Sequence, residues 1–176
     1  ASTAENTDAS GNVLGNDTDA DTSDTLTVTA VAGVGGNVGT GVAGSAGGTF
    51  TIQADGSYTF EPGTAFDDLA VGESRVTTVT YTISDGNGGT DTAAVTITVT
   101  GVNDGPDAVD DTGSTAENTD ASGNVLGNDT DADTSDTLTV TAVAGVRGNV
   151  GTGVAGSAGG TFTIQADGSY TFEPGT

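Results

Sequence analysis

Apolar residues along this chain recur at every second position, and threonine fills the places between them. Leu26, Val28 and Ala30 alternate with Thr27 and Thr29, Phe50 and Ile52 flank Thr51, and Tyr58 and Phe60 flank Thr59. Val79, Tyr81 and Ile83 alternate with Thr80 and Thr82; Val95, Ile97 and Val99 alternate with Thr96, Thr98 and Thr100. A period of two is that of a strand with one buried face, and the β-branched threonine suits the solvated face. No stretch of useful length has helical spacing.

Parity fixes one hairpin. Phe50, Ile52, Tyr58 and Phe60 should face one core. A two-residue Asp55-Gly56 loop would pair Ile52 with Thr59 and turn the aromatic residues outward. A three-residue loop, Ala54-Asp55-Gly56, pairs Ile52 with Tyr58 and Phe50 with Phe60, the geometry of a type I turn closed by a left-handed glycine. Gly168 should act likewise at its own turn. The last two strands, about 76–84 and 92–100, flank the turn from Asp85 to Asp91. The glycine-rich stretch 33–48 reads as a long loop or an irregular edge segment. The pattern predicts an all-β fold, an antiparallel two-sheet β-sandwich.

The chain repeats itself. Residues 2–64 recur at 114–176, an offset of 112, with one change, Gly35 becoming Arg147. Residues 65–112 have no second copy. The expected organisation is a complete repeat at 1–100, an acidic linker at 101–111 and a second repeat at 112–176, truncated before its last two strands. We read the sequence as a window on a longer tandem array. One chain then holds two front halves and one back half, and the second front half should leave apolar strand surface open unless another chain supplies strands.

Composition first reads as a warning. The 176 residues include 25 Asp plus Glu, two Arg, no Lys and no His, for a formal net charge of -23. Leu, Ile, Val and Phe total 33, beside 34 Thr and 30 Gly. Few aliphatic residues with high net charge is the signature of disorder, and the strand periodicity is the answer to it. So few basic residues exclude nucleic acid as a partner. No apolar run is long enough for a transmembrane helix, so membrane insertion is not expected, and no segment has the layout of a cleavable secretion signal. Without His and Cys, the common bases, thiol nucleophiles and zinc ligands are missing. Paired carboxylates alone can hydrolyse glycosides. Here they lie in repeat-identical loops without sugar-binding aromatic residues, so no enzymatic activity is expected. Oxygen-only ligand chemistry points to a hard cation, calcium first.

The acids are clustered. Asp17, Asp19, Asp21 and Asp24 form one group, repeated at Asp129, Asp131, Asp133 and Asp136. Glu5 and Glu117 precede these groups. The junction carries Asn103, Asp104, Asp107, Asp110 and Asp111, and the last turn carries Asp85, Asn87 and Asp91. Asp17-x-Asp19-x-Asp21 has the opening spacing of an EF-hand loop, but Thr22 stands where that loop needs Gly and Val28 where it needs Glu. Gly88-Gly89-Thr90-Asp91 is one fragment of a calcium-roll nonapeptide and does not iterate. Asn16-Asp17-Thr18 is formally a glycosylation sequon. The competing reading is that loop Asp residues form Asx turns and solvate the surface. For Asp85 to Asp91, a plain hairpin turn and a ligand set both fit. For Asp67, Asp68 and Glu73, a solvated loop is the better reading.

Four motifs then carry a resemblance: Asn-Val-Leu-Gly-Asn-Asp-Thr-Asp-Ala-Asp at 12–21, Ala-Asp-Gly-Ser-Tyr-Thr-Phe at 54–60, Tyr-Thr-Ile-Ser-Asp-Gly-Asn-Gly-Gly-Thr-Asp at 81–91 and Val-Asn-Asp-Gly-Pro at 102–106. In this order, and over essentially the whole chain, they resemble the VCBS repeat, a tandem module of giant bacterial surface and RTX adhesins. The resemblance implies an immunoglobulin-like or cadherin-like sandwich with calcium near domain junctions, and export by type I secretion. It implies that Asn103 and Asp104 hold a junction calcium with Glu117, Asp131 and Asp133 of the next repeat, Asp129 being a further candidate. The preceding repeat would add Asp85 or a residue of the 67–73 segment. Glu5, Asp19 and Asp21 would be the equivalent ligands at the N-terminal end. The implied role is an extracellular, calcium-stiffened spacer in adhesion and biofilm, its partners being neighbouring repeats. A matrix fibre joined by strand addition between identical chains, and a carbohydrate- or ice-binding module, are the alternatives.

Overall fold

The computed structural model describes residues 1–175. The chain divides into two units, Ala1–Asp104 and Gly105–Thr176. The first has eight strands: β1 (Ser2–Ala4), β2 (Ala9–Asn12), β3 (Thr27–Val31), β4 (Gly41–Ala43), β5 (Thr49–Ile52), β6 (Ser57–Glu61), β7 (Ser74–Ser84) and β8 (Thr90–Thr100). Helical structure is confined to 3-10 turns at Val13–Asn16 and Gly35–Asn37. The strands form two four-stranded sheets, ordered β1-β8-β7-β3 and β2-β6-β5-β4.

Strand parity builds the core as the sequence predicts. Phe50, Ile52, Tyr58 and Phe60 of one sheet, and Val79, Tyr81, Ile97 and Val99 of the other, share one hydrophobic cluster. Ile52 pairs with Tyr58 and Phe50 with Phe60, and Gly56 closes the turn at φ 79°, the left-handed region that glycine enters without steric cost. The Phe50 and Phe60 rings lie 4.6 Å apart, and Phe66, from the segment before β7, meets Phe60 edge-on at 6.3 Å. Thr77, fully buried among these residues, donates its hydroxyl to the Gly47 carbonyl at 2.9 Å. At the far end of the strands, a methyl group on Gly101 would overlap the Leu69 and Ala70 carbonyls, so the chain leaves β8 along a path only glycine fits.

Three features depart from expectation. A register shift between Val28 and Ala30 makes Val31, rather than Ala30, the second buried residue of β3. The glycine-rich stretch supplies β4, an edge strand paired with β5. One ladder is not antiparallel: β1 runs parallel to β8, pairing Ser2 with Thr98 and Ala4 with Thr100.

The second unit keeps one sheet. Strands β9 (Ala121–Asn124), β10 (Gly153–Ala155), β11 (Thr161–Ile164) and β12 (Ser169–Glu173) pair in the order β10-β11-β12-β9. Phe162 again opposes Phe172 and Ile164 opposes Tyr170, with Gly168 at φ 80°. Pairing within residues 121–173 therefore reproduces this sheet without a second layer. Residues 114–116 and 139–143, the counterparts of β1 and β3, form no strand. The pairing partners of β1 and β3 are β8 and β7, which have no counterpart within residues 105–175. The consequence is visible at one pair of identical residues: Phe50 is fully buried, whereas Phe162 is 37% exposed.

The two copies thus form an internal control. In an isolated fragment of residues 1–176, amides of β11 and β12 should exchange with solvent at least about tenfold faster than the same amides of β5 and β6, because there they lack the covering layer. Equal protection in a monomer would overturn this account.

Tyr81 links the two layers. Its hydroxyl lies 3.1 Å from the Val13 carbonyl and 3.2 Å from the Asp17 carboxylate. Burial, the Asp17 charge and this hydrogen bond push the phenol up to about 12. Tyr81→Phe should cost about 1–2 kcal/mol, measured by urea unfolding, since a buried carbonyl loses its donor. The Tyr81 contribution is fully present below pH 10, the ordinary tyrosine value, and is lost as pH rises toward 12. The phenylalanine variant should lack that alkaline component.

Candidate functional site

The loop between the first 3-10 turn and β3 holds the densest acids of the first unit. Asp17 is committed to Tyr81. Beyond it, Asp19 accepts the Asp21 N–H at 2.8 Å, and the Asp24 N–H donates to the Asp21 carbonyl at 2.9 Å. These two local turns fold the loop back so that one carboxylate oxygen each of Asp19, Asp21 and Asp24 lies within 4.8 Å of the others. Among the described residues this is the one grouping of three such side chains that could hold a metal ion.

The β7–β8 turn completes the surroundings. Asn87 donates to Asp24 at 2.8 Å, anchoring the third carboxylate from a distant part of the sequence. Asp85 shapes the turn by accepting the N–H groups of Asn87 at 2.7 Å and Gly89 at 3.0 Å. Asp19, Asp85 and Asp91 border one cleft of about 170 Å³. At such separations each pair of carboxylates repels by about 1 kcal/mol in water, more where solvent is excluded. A bound divalent cation would reverse that sign. The oxygen-only donor set fits a hard cation.

The opposite end of the first unit carries a second acidic feature. Glu5 is 1% exposed. Its N–H donates to the Thr100 carbonyl at 3.0 Å, and its carboxylate accepts the Val102 N–H at 2.7 Å. Asn103 and Asp104 follow directly, with the Asn103 amide donating to the Asp104 carbonyl. Glu5 therefore fastens the outgoing chain.

This geometry corrects two expected groupings. Asp85 lies at the β7–β8 turn, whereas Asn103 and Asp104 follow the other end of β8. Eleven strand residues separate these ends by roughly 35 Å, so Asp85 shares no ion with Asn103 and Asp104. By the same measure Glu5 does not join Asp19 and Asp21. The cause is the parallel β1: a strand running with β8 delivers its next residue to the exit end of β8. The structure brings Asp19 and Asp21 together with Asp24 instead. The signal for Asp24 was present in the spacing Asp-x-Asp-x-x-Asp; Asn87 stood among the last-turn candidates, but nothing in the sequence pointed to its anchoring of Asp24.

In the second unit the local turns recur. Asp131 accepts the Asp133 N–H at 3.0 Å, and the Asp136 N–H donates to the Asp133 carbonyl at 2.9 Å. Asp133 is buried, and Asp129 accepts the Val109 N–H at 2.8 Å. The incoming segment is tied further by a bridge between Asp107 and Thr130. Glu117 is exposed in the turn after Ala116. Of the 67–73 acids, Asp68 pairs with Arg75 at 2.6 Å, which holds its carboxyl below the usual range, and Glu73 accepts the Ala70 N–H at 3.2 Å. Both serve their own loop.

Fold and acids together define an acidic all-β repeat module. The chain belongs to the bacterial cadherin-like domain family, whose pattern matches residues 1–101 and again residues 103–176. It is also similar to the calcium-binding lectin RapA2 of Rhizobium johnstonii, with 35% identity over 145 residues covering 72% of this chain. The match spans 56% of that relative's length.

Removing one charge from the three-carboxylate group gives a direct test. Without divalent cations, Asp21→Asn should stabilise the first unit by about 0.5–1 kcal/mol, because it removes repulsion. With millimolar calcium the same substitution should destabilise it relative to the parent. Thermal unfolding with calcium and with chelator reads the sign in each case, and the same sign in both would exclude a cation at this group.

Proposed function

We propose that this chain is a stretch of a calcium-stiffened extender in a large bacterial surface adhesin, of the VCBS type. Each complete repeat is a two-sheet sandwich, and repeats follow one another in tandem. The observation that carries this reading is the placement of acids at both ends of the long strands: Asp19, Asp21 and Asp24 at one end, and Glu5 beside Asn103 and Asp104 at the other. A module with cation ligands at each end is suited to linking to a neighbour at each end. Family membership and the calcium-binding relative support the same ion and an extracellular setting. At about 3.3 Å per residue, eleven-residue strands give a rise on the order of 36 Å per repeat, so many repeats would carry an adhesive domain far from the cell.

Calcium bound when present would neutralise the clustered carboxylates. Within the chain, Glu5 and Gly101 hold the exit path, and the Asp19–Asp24 loop holds the entry end. Extracellular calcium modules bind with dissociation constants of about 10⁻⁴ to 10⁻³ M, so the strut would be stiff outside the cell and loose in the cytosol, which suits type I export and a role in biofilm. The chain acts mechanically and not as an enzyme, with neighbouring repeats as its partners. A carbohydrate-binding role, as the relative's name suggests, has less support in the first unit, where Tyr58, Tyr81, Phe50, Phe60 and Phe66 are all buried in the core.

Small-angle scattering with calcium and with chelator tests the extender. Calcium should raise the melting temperature and narrow the distribution of end-to-end lengths. Identical length distributions and identical melting in both conditions would reject it.

A further inference from the structure

The β7–β8 turn carries the chain's one Asn-Gly step, Asn87-Gly88. The amides of this turn are unequally engaged. Gly86 donates to the Ser84 hydroxyl at 3.2 Å, and Asn87 and Gly89 donate to the Asp85 carboxylate at 2.7 and 3.0 Å. The Gly88 N–H between them finds no acceptor among the described residues. Gly88 is exposed, at φ 106°, and a methyl group built on it would meet nothing within 4 Å. Neither a hydrogen bond nor bulk therefore shields its nitrogen from the side chain of Asn87, which is exposed as well. What holds that side chain is Asp24, whose carboxylate accepts its amide at 2.8 Å.

We propose that Asn87-Gly88 is a site of spontaneous deamidation, restrained by Asp24, whose product changes the charge of the three-carboxylate group. The Gly88 nitrogen gives its proton to water and bonds to Cγ of Asn87; the Cγ–Nδ2 bond breaks, and Nδ2 leaves as ammonia. The five-membered imide so formed is opened by one water molecule. Attack at Cγ leaves an aspartate and the original main chain, and attack at the main-chain carbonyl leaves an isoaspartate, with the chain running through the former side chain. No electrons are exchanged, and either product bears one new carboxylate. Departure of Nδ2 ends its bond to Asp24, so that bond stabilises the unreacted state. After the reaction, a carboxylate stands where a donor faced Asp24. The three acids within 4.8 Å of one another gain a fourth on their border, and like charges so placed repel.

The test incubates the full chain at neutral pH with chelator, below its melting temperature, and maps the conversion of amide to acid by mass after digestion. Position 87 should react before any other asparagine, since every other one is followed by Thr, Val or Asp. Asn87→Gln should stay unmodified over the same period, because its ring would need six members. Asp24→Ala should speed the reaction about three- to tenfold, the worth of one hydrogen bond, and Asp24→Asn, which keeps an acceptor oxygen, should return it toward the parent rate. Asn87→Asp stands in for the aspartate product and should melt about 2–6 °C below the parent in chelator. Reaction at another asparagine first, an unchanged rate in Asp24→Ala, or equal melting of Asn87→Asp and the parent would overturn the proposal. A last arm rests on the reading of these acids as a calcium site: millimolar calcium should narrow the gap in melting temperature. If that reading fails, calcium moves neither melting curve, while the modification and the difference in chelator remain.

Discussion

Contact between the β7–β8 hairpin and the sheet β2-β6-β5-β4 is the interaction on which the first unit depends. Each sheet alone satisfies its backbone hydrogen bonds locally, but not its apolar face. Burying Phe50, Ile52, Phe60, Val79, Tyr81, Ile97 and Val99 against one another contributes about 1.5–3 kcal/mol for each large side chain. The second unit isolates what this contact adds. There, the same residues fold into the same four-stranded sheet with the same register, so local turn chemistry at Gly168 and strand parity suffice for that layer. What fails without the hairpin is the formation of strands at 114–116 and 139–143 and the burial of Phe162. The hairpin is thus both a core half and the template for two further strands.

The hairpin also decides where charge can gather. Its two strands are long, and their outward positions are occupied by threonine, so acids have little place along the sheet faces. They collect at its two ends, the turn and the open end where the chain enters and leaves it. At the β7–β8 turn, Asn87 reaches Asp24 and fixes the third carboxylate of the group. At the other end, Gly101 passes so close to the Leu69 and Ala70 carbonyls that no side chain fits, and Glu5 clamps the next amide. The direction of β1 connects these facts. A parallel β1 carries Glu5 to the exit, so the two ends have separate acidic sets.

Much of this was legible in the sequence. Alternation located β5, β6, β7 and β8, and parity alone selected the three-residue turn that places Phe50 opposite Phe60. The clustering of Asp19 and Asp21 was legible from spacing. Three things were not. The shift between Val28 and Ala30 exchanges one small residue for a neighbouring valine, and alternation cannot register a bulge that the partner strand imposes. The edge strand β4 hides in a glycine-rich stretch because one side of it is unpaired and only Val42 is partly buried. The direction of β1 has no local signal at all. Three residues fit a parallel or an antiparallel ladder equally well, and only the position of the edge beside β8 decides. The resemblance grouped Glu5 with Asp19 and Asp21, and Asp85 with the junction; neither β1's direction nor the length of β8 entered that grouping, and they are what separate these residues.

The same geometry resolves the tension between a disordered composition and a folded module. Large apolar residues are scarce, but in the first unit they are spent almost wholly on one cluster, and the few exposed ones, such as Val71 and Val76, lie off its face. The opposing term is electrostatic. Against 25 acids the chain has two arginines, and Arg75 is occupied by Asp68 beside the Phe66 ring. Two arginines cannot balance 25 acids, so most of the charge must be met by solvent ions. Repulsion over a surface is screened within about 8–10 Å at physiological salt, so evenly spread acids would cost little. Acids packed within 4.8 Å at Asp19, Asp21 and Asp24 are inside that distance, and diffuse salt relieves them poorly. Concentrating charge at the strand ends therefore makes the unit sensitive to the cation that can sit there, while leaving the threonine faces indifferent to it. A core this thin has no large surplus of stability to set against repulsion concentrated at those ends.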